Sequence, residues 1–202
     1  MSGKKFELVK EDTKQVGNRI LYRVKYLRDG KYFNKGDLGG YIEFEKNLSQ
    51  ENNACVSGNA CVFGDARVFG DAWVFGNARV FDDACVFGDA WVSGNACVFG
   101  DAWVFGDAWV FGNARVFDDA CVFGDAWVFD DACVFGDAWV SGDCKIDFEL
   151  CSKFSFENQL QLDKWLELEK QFESIKNDLK PRLEDLSKEE LIKRIKELEG
   201  KK

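Results

Sequence analysis

Carboxylates and thiols are the side chains of this protein that could do chemistry, and both recur at fixed spacing. Asp65, Asp83, Asp101, Asp119 and Asp137 stand eighteen residues apart, with Asp82 and Asp118 doubling two of them; Asp71, Asp89, Asp107, Asp125 and Asp143 form a second series. Carboxylates in register can hold cations, work as acid–base pairs or imitate nucleic acid phosphates. Eight cysteines lie among them, and there is no histidine. Without His the usual general base is missing, and so is the usual partner of a thiolate in a zinc site. No cysteine pairs with a recognisable base, no CxxC occurs, and the glycines fit neither a Walker nor a Rossmann pattern. The nine-residue glycine–aspartate spacing of calcium β-rolls is absent too. The expectation is a protein without catalytic residues, metal or cofactor.

Those residues are positioned by one stretch, Asn53 to Gly142, which reads as fifteen six-residue units of the form [ND]-A-x-V-[FS]-[GD] without insertion or deletion. A period of six is a multiple of the strand repeat and of no helical repeat, so each unit predicts a short strand and a corner. Ala and Val at the second and fourth places fall on one side of the strand, and the third and fifth places on the other. The third place holds Cys, Trp or Arg. Stacked arginines cannot occupy a dry interior without partners, so Ala and Val face in while Trp, Cys, Arg and Phe face out. Junction pairs of Gly, Asp and Asn tolerate the positive φ of a sharp corner. Three strands and three corners close a triangular coil of eighteen residues, about six coils in all.

Eighteen-residue columns sort the outward residues. Trp73, Trp91, Trp109 and Trp127 make a ladder on one face; a second reads Cys61, Arg79, Cys97, Arg115, Cys133, and the third Arg67, Cys85, Trp103, Cys121, Trp139. At the fifth place, twelve phenylalanines, among them Phe75, Phe111 and Phe129, also point outward. An aromatic surface of that extent exceeds the ~300–600 Å² patch usual for a monomer, so self-association or a partner is expected to cover part of it. Cysteines two rungs apart lie ~9.6 Å from each other, beyond bridging distance, so the thiols are expected to be free, as in a reducing compartment.

The formal charge is −9, and the repeats hold thirteen Asp against three Arg. An acidic rod repels nucleic acid and anionic lipid, so direct binding to either is not expected. No signal peptide or membrane-length apolar run is present, which predicts a cytoplasmic location.

The flanks divide the chain into residues 1–46, 47–148 and 149–202. In the first, an alternating run from Ile20 to Phe33 predicts a hairpin turning at Asp29-Gly30 and capping the first coil. In the last, Trp165, Leu168, Phe172, Ile175 and Leu179 predict an apolar helical seam that Pro181 ends or bends, and Ser187 with Glu190 a capping box opening a second helix bearing Leu191, Ile195 and Leu198. These helices are expected to cover the end or one face of the rod, or to serve as a dimerisation arm.

Between them, KGDLGGYIEFEKNLS (Lys35 to Ser49) leads into NACVSG in six-residue register. Here the sequence resembles bacterial and prophage hexapeptide-repeat proteins, often labelled putative acyltransferases, over roughly residues 18 to 148. The resemblance implies an all-β solenoid, a left-handed parallel β-helix. Acyltransferases and carbonic anhydrases of this architecture use His, which this chain lacks, and the ice-binding type has a Thr-rich face, whereas Thr13 is the only Thr.

The function expected is therefore non-enzymatic: a protein-binding rod from a phage or mobile element that inhibits a nucleic-acid-handling protein, as an anti-CRISPR or nucleic-acid mimic does. The acidic edge (Asp65, Asp82, Asp83, Asp101, Asp118, Asp119, Asp137) would meet a basic nucleic-acid-binding protein, and the aromatic faces a partner or a second copy, giving a dimer or larger. The alternatives are a divergent acyltransferase with a substitute base and a self-associating structural rod.

Overall fold

The computed structural model describes residues 3–151 and 155–184, which fall into two units dividing after Gln159. In the first, each repeat contributes a short strand at its third and fourth places, from Cys55–Val56 through Trp139–Val140, two residues long in all but Cys133–Phe135. Through Trp127–Val128 each strand pairs in parallel with the strand eighteen residues on, Trp73 with Trp91, Trp91 with Trp109, Trp109 with Trp127, and likewise on the other two sheets; the last two, at Cys133 and Trp139, pair sixteen residues on, with Glu149 and Ser155. Three parallel sheets close a β-solenoid of about six coils.

The alternation expected from the repeat holds along the whole stack. Every repeat Ala is fully buried and every repeat Val is at most 1% exposed, so the interior is a dry column of small and β-branched side chains. Backbone N–H groups of the third and fifth places up to Phe129, and of several first places, donate to carbonyls seventeen residues on, as in Arg79 to Ala96, Phe81 to Val98 and Asn77 to Gly94, at 2.8–3.0 Å. These donors look toward one end of the stack and the carbonyls that accept from them toward the other, while the fourth-place amide faces back, as Val56 N does in donating to Tyr26 Oη at 2.9 Å.

A stack with that polarity leaves a row of unpaired carbonyls on its first coil, and the N-terminal segment supplies their donors. Strands β1 (Phe6–Val16), β2 (Arg19–Tyr26) and β3 (Leu38–Ile42) form an antiparallel sheet whose last strand lies parallel to Cys61–Val62. The amides of Tyr41, Glu43 and Ser49 donate to the carbonyls of Ala60, Val62 and Val68. Side chains reach the rest: Lys5 Nζ donates to Ala54 O (2.7 Å), Tyr26 Oη to Val56 O (3.0 Å), and Asn47 Nδ2 to Gly64 O (3.0 Å) and Ala66 O (2.8 Å). The lead-in glycines allow this approach, since a Cβ at Gly39 or Gly40 would lie 2.6–2.7 Å from a first-coil carbonyl oxygen.

The hairpin is not the one the turn residues predicted. β2 pairs backward with β1 through Gly17-Asn18, Gly17 taking φ +57, while Asp29 and Gly30 lie in the connection to β3. Gly30 serves packing instead: the Phe33 ring, stacked on Tyr26 at 4.0 Å, occupies the space a Cβ there would fill.

One helix, α1 (Gln159–Glu184), is described in the C-terminal part. It continues past Pro181, so that residue does not end it; a proline removes a single donor and blocks a helix most strongly in its middle. The predicted second helix, with Ser187, Glu190, Leu191, Ile195 and Leu198, lies outside the described residues. No described helix is long and apolar enough to cross a membrane.

Candidate functional site

The corners are the first candidate. Each turns on a left-handed sixth residue: glycine at most, and Asp82 (φ +59), Asp118 (+57) and Asp130 (+54) in its place. Aspartate is among the few residues with a Cβ that visit this conformation readily. The following residue opens the next unit and points its side chain outward. Asp65, Asp82, Asp83, Asp101, Asp118, Asp119 and Asp137 are consequently all exposed along one edge, one rung apart. Only the first of them has a described salt bridge, with Lys46, which holds the Asp65 carboxyl below the usual carboxylate range. On the second acidic edge Asp71 accepts from Asn53 (3.1 Å) and Asp89 from Lys31 (2.9 Å).

The third edge behaves differently. Asn59, Asn77, Asn95 and Asn113 form a head-to-tail amide ladder, each Nδ2 donating to the next Oδ1 at 3.4, 3.2 and 3.0 Å, and Asn113 ends it by donating to Asp131 at 2.9 Å. A carboxylate only accepts, so the aspartate fits the terminus of the ladder and not its interior.

The aromatic columns bury much of one another. Phe63, Phe81, Phe99, Phe117 and Phe135 stack with centroids 4.9–5.0 Å apart and planes within 4°, and Phe69, Phe87, Phe105 and Phe123 repeat the pattern. In the tryptophan ladder, Trp91 stacks on Trp109 (4.6 Å) and Trp109 on Trp127 (5.2 Å), whereas Trp73 meets Trp91 edge-on. Its ends are closed within the protein: Tyr32 stacks on Trp73 at 4.8 Å, and Lys145 Nζ lies 5.3 Å over Trp127. Phe75 packs on Trp73 and Phe111 on Phe129, leaving all three phenylalanines half-buried.

The most exposed rings of the repeats are elsewhere. Trp103 is 48% and Trp139 52% exposed, on the face where bulky and small residues alternate, so neither has an indole on the adjoining rung. The sequence carried that signal in the Trp-Cys-Trp order of the column, but the unbroken ladder drew attention to the better-covered face. Of the helical seam, Trp165 is half-buried and Leu168 exposed; Phe172, Ile175 and Leu179 lie in α1, and their side chains are outside the described ones.

No disulfide joins the described cysteines. Burial pushes Cys55 up to about 11 and raises Cys85, Cys97 and Cys121 as well, so these are poorly nucleophilic thiols. Burial likewise lowers Lys5 to about 8 and raises Tyr26; both are occupied with first-coil carbonyls in the cap. Among the described residues no three Cys, Asp or Glu side chains converge as a metal site.

The fold and these columns define a β-solenoid repeat protein with stacked parallel coils of eighteen residues. No protein-family model and no curated protein matches the chain.

Proposed function

We propose that this protein is a non-enzymatic rod that binds a basic, nucleic-acid-handling protein by presenting a phosphate-like array of carboxylates, as phage or mobile-element inhibitors of the anti-CRISPR type do. The observation that carries the reading is linear charge density. Thirteen aspartates over the five coils of repeats, at ~4.8 Å per coil, place about one carboxylate per 1.8 Å of axis, or one net negative charge per ~2.4 Å after the three arginines. Double-stranded DNA carries one per ~1.7 Å. The edge gathers seven of those thirteen carboxylates along one line of the stack, at a density that a basic groove built for phosphates could engage. The resemblance of the lead-in and repeats to prophage hexapeptide proteins supports the mobile-element origin.

The exposed Trp103 and Trp139 favour a second reading, in which two copies associate through this face. The two readings are compatible, since a dimer would present two acidic edges.

Affinity purification from the native host tests the partner. A basic nucleic-acid-binding protein should be recovered and released as salt rises. The quadruple variant Asp82→Asn, Asp83→Asn, Asp118→Asn, Asp119→Asn keeps residues that tolerate positive φ, so it should fold while binding the partner at least about tenfold more weakly at low salt, since each lost charge contact is worth up to ~1 kcal/mol. Undiminished binding would end the mimicry reading.

A further inference from the structure

The face carrying Arg67, Cys85, Trp103, Cys121 and Trp139 alternates small and large side chains, so Trp103 and Trp139 flank Cys121 two rungs apart, ~9.6 Å. Both indoles stand edge-on to the phenylalanine ladder beside them, Trp103 at 78° to Phe87 and Trp139 at 85° to Phe123. A planar group in contact with both needs ~3.5–4 Å on each side, so the interval admits one such group and not two. On the neighbouring sheet the same rungs are filled by consecutive indoles, Trp91 and Trp109, at 4.6 Å. The corner that leads into this face carries Asp101, Asp119 and Asp137, each exposed and two residues before Trp103, Cys121 and Trp139, with Asp118 beside Asp119. Around the empty rung are therefore two exposed indoles, a neutral thiol at its floor and carboxylates at its lip.

The protein fills comparable positions with its own cations. Lys46 Nζ lies 5.2 Å over the Phe44 ring and bonds Asp65, the first carboxylate of this same column. Lys31 Nζ lies 5.0 Å over the Tyr32 ring and 2.9 Å from Asp89. A cation held between an aromatic face and a corner aspartate thus occurs twice, and among the described residues no salt bridge reaches Asp101, Asp119 or Asp137.

We propose that the rung over Cys121 takes an arginine side chain of the protein partner, its guanidinium stacked between Trp103 and Trp139 and hydrogen-bonded to Asp119. Charge complementarity selects a cation and the interval selects a planar one, which distinguishes arginine from the point charge of lysine. The inference rests on the proposed reading that the partner is basic, and adds the residue that anchors it.

The test titrates the protein with two charge-matched nonapeptides, nine lysines or eight lysines around a central arginine, read by fluorescence anisotropy of the labelled peptide. The arginine peptide should bind about fivefold tighter, as one stacked cation predicts. Cys121→Trp should fill the rung and erase that preference while leaving the lysine peptide and its salt dependence unchanged; its fold is checked by circular dichroism, and four successive rungs of the adjoining sheet already carry Trp. Cys121→Ser keeps the rung open and should keep the preference. Equal affinity for the two peptides, or a preference that survives Cys121→Trp, would overturn the slot alone. If neither peptide binds at low salt, the acidic-edge reading falls with it.

Discussion

Substitution of Gly88 by alanine tests how tightly the corners are built. Gly88 belongs to the column Gly70, Gly88, Gly106, Gly124, Gly142, in which every member has a left-handed φ between +65 and +72. A Cβ built on it would lie 2.8 Å from the amide nitrogen and 3.1 Å from the carbonyl oxygen of Gly106 on the next rung. Alanine in this conformation costs ~1–2 kcal/mol. The nitrogen contact is below any normal Cβ approach and involves backbone, so the rung must also shift. That shift strains the 2.9 Å bond from Asp89 N to Gly106 O, a bond worth roughly 1 kcal/mol. The expected loss is about 2–3 kcal/mol, read as a lowered urea midpoint by circular dichroism and tryptophan fluorescence. Asp118→Gly is the matched control at a corner that already carries a side chain. Relief of its backbone is offset by the added freedom of the unfolded chain, so it should change stability by less than ~1 kcal/mol. A Gly88→Ala midpoint indistinguishable from that of Asp118→Gly would refute the argument that backbone crowding fixes these corners.

Asn47→Ala should destabilise by about 3 kcal/mol in the same assay, because it strips partners from the buried carbonyls of Gly64 and Ala66 and from the amide of Phe44; a loss under ~1 kcal/mol would deny Asn47 its capping role. Lys5 gives a pH signature. Its folded pKa of about 8 lies below its usual 10.5, so folding opposes the charged form, and stability contributed by this group rises as pH climbs between those values. Comparing the parent with Lys5→Met cancels the cysteine titrations common to both, and the parent should gain about 1 kcal/mol on the variant between pH 8 and 9. A flat difference would remove Lys5 from the linkage. Thiol titration of unreduced, denatured protein should find Cys55, Cys61, Cys85, Cys97, Cys121, Cys133 and Cys144 all reactive; protection of any pair that reduction relieves would contradict the register.

Inside and outside were legible because the repeat is strict: Ala and Val at alternate places left one side for the core, and eighteen-residue columns followed from three strands per coil. Legibility ended where the repeat does. The β1–β2 pairing carries a register shift between Val9 and Thr13, which breaks the alternation that would mark β1 as a strand. Asp29-Gly30 looks like a hairpin turn in sequence, but the Phe33 ring is what makes glycine necessary there. The cap donors Lys5, Tyr26 and Asn47 are single residues forty-nine, thirty and seventeen positions from their acceptors, and no local pattern announces them. At the candidate site the columns were visible but not their coverage, which depends on Tyr32 and Lys145 closing the tryptophan ladder from outside the repeats.

The head-to-tail amide ladder and the coil-to-coil backbone bonds make each coil interchangeable with its neighbour but not with a third of itself. Gain or loss of eighteen residues would lengthen or shorten the stack by ~4.8 Å and present the same carbonyls to the same cap. A slip of six would also close a coil, yet it would carry tryptophans into the cysteine–arginine column and aspartates into the asparagine ladder. The segment Asn77 to Val92 recurs as Asn113 to Val128, an offset of two whole turns. Reach along the axis can therefore change in discrete steps without redesign of either end, so the molecule is built as a ruler whose graduations can be added.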